Sequence, residues 1–103
     1  ALSQGEKRQL GLAMALALEP KLLVLDEPMA GTGREETARL VELLRGLAGT
    51  LPMILVEHDM SAVFALADRI SVLVYGRVIA TGAPDEIRAS PEVRAAYLGE
   101  EAA

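Results

Sequence analysis

The sequence has no cysteine and no tryptophan, and only one histidine and one phenylalanine among its 103 residues. Without cysteine the chain has neither disulfides nor thiolate metal ligands, which fits a cytoplasmic protein, and a single histidine excludes a metal site built from several histidines. No apolar stretch approaches the ~18 uninterrupted residues that a membrane span needs, and no signal peptide is predicted. Ten basic residues against fifteen acidic ones give a net charge of −5, which disfavours nucleic acid as a partner.

What the sequence does contain is an alternation of strand and helix patterns. Residues 22–25 and 53–56 are continuous apolar runs, the pattern of strands buried in a parallel sheet. Two later strands joined tightly through Gly76 predict a hairpin, and residues 10–18 are so apolar that their helix is expected to be buried on most sides. The chain is therefore predicted to be one small α/β domain with helices at 5–18, 34–48, 61–67, 84–89 and 91–98 and strands at 22–26, 53–56, 70–75 and 77–81.

The first apolar strand delivers two adjacent carboxylates, Asp26 and Glu27, and is stopped by Pro28, which cannot donate to a sheet ladder. Ligands bind beyond the carboxyl ends of parallel strands, so these carboxylates stand where a polar ligand would lie. The second apolar strand is followed by His58, which is expected at the same edge of the sheet. Taken separately, the acidic pair also fits a polar structural turn, and the histidine also fits a structural role.

The residues before the first helix have the pattern of a phosphate-binding helix start. Ser3 is a predicted N-cap, and Glu6 follows it at the spacing of a capping box. Gly5 has no side chain, which lets another group approach the backbone closely. Free N–H groups and a serine hydroxyl at a helix start attract phosphate, although an ordinary helix cap has the same pattern.

Taken together, these segments resemble the ATP-binding-cassette (ABC) ATPases. Residues 2–6 (Leu-Ser-Gln-Gly-Glu) resemble the family's signature loop, and residues 22–27 resemble its Walker B strand with the catalytic glutamate. Residues 57–59 (Glu-His-Asp) resemble its switch-histidine loop, and the three motifs occur in the family's order. The resemblance implies an α/β fold of the P-loop NTPase type, with a parallel sheet, flanking helices and a C-terminal antiparallel hairpin strand.

The resemblance also implies roles for individual residues, with ATP and Mg²⁺ as cofactors. Glu27 would be the general base, His58 would donate to the γ-phosphate, and Asp26 would hold Mg²⁺ through water. The signature residues would contact the ATP held by a second cassette; they are Ser3, Gln4, Gly5 and Glu6. The subunit-contact loop would comprise Ala30, Gly31, Thr32 and Gly33, although the family commonly has Asp or Asn at the last of these positions.

One motif of the family does not occur among these 103 residues. There is no G-x-x-x-x-G-K-[ST] loop, so nothing here is expected to cradle the β- and γ-phosphates. Residues 1–103 therefore resemble the C-terminal part of one nucleotide-binding domain, from the signature loop onward, without its Walker A half. The isolated chain is expected to be inactive.

The C-terminal segment indicates the kind of transporter. Residues 78–87 and 93–100 resemble the end of the ATPases of branched-chain amino-acid importers, although lipopolysaccharide-export ATPases share a similar Tyr-Leu-Gly-Glu ending. The expectation is an ATP-hydrolysing subunit, peripheral on the cytoplasmic face of the cell membrane, that partners a second cassette and transmembrane permease subunits. Three alternatives remain. The first is an ATPase of lipopolysaccharide export, and the second is a non-transport ABC ATPase acting on DNA or ribosomes, which the acidic charge disfavours. The third is a non-enzymatic module that keeps only the fold.

Overall fold

A computed structural model describes residues 2–98, so Gly99 and Glu100 of the Tyr-Leu-Gly-Glu ending lie outside the described residues. The chain divides into two compact units, one ending at Leu66 and the other beginning at Ala67. The α/β class is confirmed, and the elements are α1 (Gln4–Ala17), β1 (Leu23–Asp26), α2 (Arg34–Ala48), β2 (Met53–Val56), α3 (Met60–Leu66), β3 (Ile70–Val74), β4 (Arg77–Gly82), α4 (Pro84–Ala89) and α5 (Pro91–Val93), which continues as a π-helix (Arg94–Leu98).

In the first unit, the two apolar runs pair as parallel strands, β1 with β2. The register places Leu23 opposite Met53 and Asp26 opposite Val56, so both strands end at the same edge. The chain segments that follow the two strands are therefore brought side by side, which is the basis of the candidate site.

One apolar cluster holds the first unit together. Its buried members are Leu12, Leu23, Met29, Leu40, Leu44 and Ala62. Leu40 and Leu44 are one helical turn apart, so they lie on the same face of α2 and pack into this cluster. Met29 follows the proline that ends the strand region, and its burial anchors the loop between β1 and α2.

The second half of α1 differs from the expectation that it is buried on most sides. Leu12 is buried, but Leu10, Met14 and Leu18 are 52%, 63% and 82% exposed. An apolar run does not indicate which segment packs against it, and within residues 2–98 no segment buries these side chains.

Both parallel strands also keep apolar side chains that are at least half exposed, namely Val24, Ile54 and Val56. Although these apolar side chains are exposed, none of the helices in residues 2–98 combines the length and apolar character that crossing a bilayer requires.

The second unit is built on the predicted hairpin, in which β3 and β4 pair antiparallel as a two-stranded sheet of their own. Tyr75 and Gly76 form the turn with φ values of 49° and 76°, the left-handed pair that a two-residue hairpin loop requires. The hydroxyl of Tyr97 donates to the carbonyl of Leu73 and ties the π-helix to β3. The buried apolar residues of this unit are Ile70, Val72, Ile87 and Val93.

Candidate active site

The ends of β1 and β2 bring Glu27 and His58 together. The N–H of Glu27 donates to the carbonyl of Val56 at 2.7 Å, which extends the parallel pairing by one residue. The Nε2 of His58 then lies 3.4 Å from Oε1 of Glu27. The two side chains are 70% and 50% exposed, so a ligand can reach both. A carboxylate beside an imidazole at an open sheet edge is an arrangement suited to proton transfer.

Asp26 directly precedes this pair and is exposed at the last position of β1. In the part of the chain that the structure describes, no group of three or more His, Asp or Glu side chains is placed to hold a metal ion. Mg²⁺ keeps several water ligands and is commonly bound by one or two carboxylates together with phosphate oxygens. An exposed carboxylate such as Asp26 is compatible with a Mg²⁺ ion bound in that way.

The backbone of Glu27 adopts a φ of 49°, in the left-handed region that non-glycine residues seldom occupy. A residue before proline is normally extended, so Pro28 makes this conformation still less expected. The N–H of Ala30 donates to the carbonyl of Glu27 at 3.1 Å and closes a tight turn directly after the strand. Strained backbone positions of this kind cluster at functional sites.

Two residues that sequence reasoning left without a role contact this turn. Nη1 of Arg8, in α1, donates to the carbonyls of Glu27 and Pro28 at 2.9 and 3.1 Å. The carboxylate of Glu57 accepts the N–H of Met29 at 3.0 Å. The partners lie 19, 20 and 28 positions away along the chain, a separation that no local pattern reveals. The only available signal in the sequence was the position of Glu57, a carboxylate directly after an apolar run.

The predicted phosphate-binding segment forms the start of α1, and its capping box is present. Oγ of Ser3 accepts the N–H of Glu6 at 3.1 Å, while Oε1 of Glu6 accepts the N–H of Ser3 at 3.0 Å. Gln4 is exposed, whereas Gly5 is buried beneath the side chain of Glu36. A Cβ at position 5 would stand 2.1 Å from Oε2 of Glu36, so any larger residue there must displace that carboxylate.

The capping box predicts a pH dependence at this helix start. The hydrogen bond from the Ser3 N–H, together with the Ser3 hydroxyl, lowers the pKa of Glu6 below its ordinary value of 4.5. Because the folded pKa is depressed, the stabilisation is present above the unfolded pKa and is lost as the pH falls through the folded pKa. In a full-length cassette carrying this sequence, an NMR titration of the Glu6 side-chain carbon is expected to show a midpoint below 4.5. A Ser3→Gly variant, which keeps the N–H but loses the hydroxyl, should raise the midpoint, and an unchanged midpoint contradicts the assignment.

The predicted subunit-contact loop runs from the Glu27 turn to α2. Oγ1 of Thr32 donates to the carbonyl of Met29 at 2.7 Å and lies 2.6 Å from Oγ1 of Thr37. Gly31 has a φ of 77°, which glycine adopts at little cost. Gly33 is the N-cap of α2 but supplies no side-chain cap, whereas an Asp or Asn at this position would offer one.

The structure thus gathers some of the predicted residues and leaves others apart. Glu27 and His58 lie together, with Asp26 next to them in the chain. The signature residues 3–6 lie at the start of α1, and residues 2–98 contain no hydrogen bond or ion pair between them and the Glu27–His58 pair. Arg8, further along the same helix, does contact the turn that carries Glu27.

Two family models match the chain. The model described as ABC transporter matches residues 1–30, a range that includes the whole of α1 and of β1. The model described as branched-chain amino acid ATP-binding cassette transporter matches residues 77–103.

Curated relatives match nearly the whole chain. The high-affinity branched-chain amino acid transport ATP-binding protein LivG of Salmonella typhimurium is 43% identical over 101 residues, which cover 96% of this chain and 40% of that protein. BraF of Pseudomonas aeruginosa, which carries the same description, is 40% identical with the same coverage. The zinc import ATP-binding protein ZnuC of Alkalilimnicola ehrlichii is 43% identical over 99% of this chain and 41% of its own length. The chain spans about two fifths of the length of these relatives.

Solved structures show the same relationship in three dimensions. A nucleotide-free ATP-binding cassette from an ABC transporter matches with a TM-score of 0.81 and 27% identity, covering 96% of this chain and 41% of that one. The ADP conformation of an ATP-binding cassette matches with a TM-score of 0.79 and 28% identity, over 96% of this chain and 41% of the other. From the motifs, the fold and these similarities it follows that the chain belongs to the ATP-binding cassette (ABC) transporter family.

Proposed function

We propose that this chain is one part of an ATP-hydrolysing transporter subunit, namely the part from the signature loop onward. We also propose that the subunit powers import of branched-chain amino acids. The observation that carries the proposal is the pair formed by Glu27 and His58, with Nε2 and Oε1 3.4 Å apart at the ends of two parallel strands. The assignment of the substrate is supported by the names of the relatives and by the family model that matches residues 77–103.

In this proposal Glu27 accepts the proton of the attacking water and His58 donates a hydrogen bond to the γ-phosphate. General-base catalysis of this kind contributes typically ~10²–10⁴-fold to a rate. Asp26 would hold Mg²⁺ through water, and the bound ion would neutralise charge on the phosphate oxygens. The open edge of the sheet, where both members of the pair are at least half exposed, leaves room for a nucleotide.

The signature segment serves a different nucleotide in this proposal. Ser3 and the backbone at Gly5 contact the γ-phosphate of ATP held by a second cassette, together with Gln4 and Glu6. The loop of Ala30, Gly31, Thr32 and Gly33 contacts that second subunit. The pair of cassettes docks on transmembrane permease subunits at the cytoplasmic face of the membrane.

The 103 residues alone are proposed to bind no ATP, because they include no phosphate-cradling loop. We also expect a polypeptide of only these residues to self-associate, since β1 and β2 are each other's only sheet neighbours within residues 2–98 and carry exposed Val24, Ile54 and Val56. Sedimentation and a Mg-ATP titration on that polypeptide provide the measurement. A monomer that binds Mg-ATP at micromolar concentration contradicts both expectations.

A transport assay tests the proposed function as a whole. A full-length cassette carrying this sequence is co-purified with its membrane subunits and reconstituted in proteoliposomes. ATP-driven uptake of radiolabelled leucine is expected, and it should disappear in the Glu27→Gln variant. Zinc uptake is measured in parallel because ZnuC has a sequence identity to this chain similar to that of LivG. ATP-driven uptake of zinc with none of leucine overturns the substrate assignment, and unchanged uptake by Glu27→Gln overturns the hydrolytic site.

A further inference from the structure

We infer that Arg8 and Glu57 are positioning residues for the hydrolytic step, because they hold the turn that carries Glu27 from two sides. The inference rests on the proposed function, in which Glu27 is the general base. Neither residue touches the proposed nucleotide; each acts through the backbone that places the Glu27 carboxylate. The turn that they hold comprises residues 27–29 and is called the Glu27 turn below.

The Glu27 turn needs external support because its conformation is intrinsically unfavourable. Glu27 has a φ of 49° and precedes Pro28, a combination that an unconstrained chain avoids. Such a backbone persists only where surrounding contacts over-determine it. Locally, the Ala30 N–H donates to the Glu27 carbonyl at 3.1 Å and Thr32 donates to the Met29 carbonyl. The Pro28 carbonyl and the Met29 N–H are instead bonded by side chains of neighbouring elements.

Arg8 supplies support from the helix side. Its Nη1 donates to the Glu27 carbonyl at 2.9 Å and to the Pro28 carbonyl at 3.1 Å, so one cationic nitrogen fixes two consecutive peptide groups. Hydrogen bonds from a charged donor are stronger than those between neutral groups. The side chain is partly buried, and its Nε makes no hydrogen bond within residues 2–98, so the carbonyl contacts are what hold the guanidinium.

Glu57 supplies support from the strand side. Its Oε2 accepts the N–H of Met29 at 3.0 Å, and its Oε1 accepts the N–H groups of His58 at 3.0 Å and Asp59 at 3.4 Å. One carboxylate therefore joins the Glu27 turn to the loop that carries His58. Removing either support should let the general base and the histidine drift apart, and a misplacement of 1 Å costs about 10²-fold in rate.

The variants are chosen so that each removes one contact and keeps the rest of the side chain. Arg8→Met keeps an apolar stem and removes the donors, while Arg8→Lys keeps a cationic donor. Glu57→Gln keeps the shape, but its amide has one acceptor oxygen and must turn an NH₂ group toward an N–H of either Met29 or His58. Arg39→Met, on the exposed face of α2, is the matched control.

Steady-state hydrolysis is measured in a full-length cassette carrying this sequence. Arg8→Met and Glu57→Gln are expected to lower kcat about 10- to 100-fold while KM for ATP changes less than about threefold. Arg8→Lys should recover most of the loss, and Arg39→Met should match wild type. Because the effect acts through Glu27, adding Arg8→Met to Glu27→Gln should lower the residual rate no further.

The outcomes separate this inference from the function on which it rests. Wild-type kcat in both Arg8→Met and Glu57→Gln overturns the positioning role, provided that Glu27→Gln is inactive in the same series. If Glu27→Gln itself hydrolyses ATP normally, the proposed function fails instead. If circular dichroism shows that Arg8→Met is unfolded, Arg8→Lys and Glu57→Gln provide the test instead. Equal changes in kcat and KM in these variants contradict the inference. An additive loss of hydrolysis rate when either variant is combined with Glu27→Gln contradicts it as well.

Discussion

Replacing Glu27 by glutamine in a full-length cassette is expected to lower ATP turnover by about 10²–10⁴-fold while leaving ATP binding and cassette dimerisation intact. Glutamine keeps the shape of the side chain and its place 3.4 Å from Nε2 of His58, but its amide cannot accept the proton of the attacking water. Single-turnover hydrolysis and equilibrium binding of Mg-ATP, measured on the same preparation, separate the two effects.

Glu35→Gln is the matched control for this substitution. Glu35 lies in the first turn of α2, and its side chain is 90% exposed in a pair with Arg39. Such an exposed pair contributes little to stability, so the control should hydrolyse ATP at the wild-type rate. Turnover near wild type in Glu27→Gln removes this carboxylate from the mechanism, and lost ATP binding shows that its role is not that of a general base.

Ser3→Arg tests whether the signature acts on the partner's nucleotide. Bulk and charge at the N-cap of α1 are expected to lower hydrolysis about 10²-fold at the site that this loop covers. Mixed dimers place Ser3→Arg and Glu27→Gln either in one subunit or in different subunits. If the signature acts across the interface, the first arrangement inactivates both sites and the second leaves one site active.

The opposite pattern contradicts the composite site. If Ser3 served the nucleotide of its own subunit, activity would survive with both substitutions in one subunit and vanish when they are separated. Gln9→Arg inserts an equal charge at an exposed position of the same helix and controls for general damage to α1. When it takes the place of Ser3→Arg, both mixed dimers should keep the one active site that Glu27→Gln leaves.

The strands and helices were predictable because their signals are local. Continuous apolar runs predicted β1 and β2, and Gly76 predicted the hairpin turn. The burial of α1 was predicted wrongly, since Leu10, Met14 and Leu18 are exposed. Composition indicates that such a helix needs a cover, but not whether these residues provide one. This difference follows from physics: propensity belongs to a segment, whereas burial belongs to the whole assembly of segments.

The candidate site was predictable for a similar reason, and only in part. Parallel strands end at one edge, so residues directly after two apolar runs were expected to meet, as Glu27 and His58 do. The contacts of Arg8 and Glu57 span 19 to 28 residues and depend on a left-handed backbone at Glu27. Pro28 would have argued against that conformation. Supports of this kind emerge only once the elements are packed.

A structure of the full-length Glu27→Gln cassette dimer with Mg-ATP decides whether Glu27 and His58 form the hydrolytic pair. We expect the His58 imidazole to lie within hydrogen-bond distance of the γ-phosphate, with residue 27 facing a water in line for attack. We also expect Ser3 of the partner subunit to contact the same phosphate. If the γ-phosphate lies beyond hydrogen-bond reach of His58 and no water lies next to residue 27, these two residues are not the hydrolytic pair.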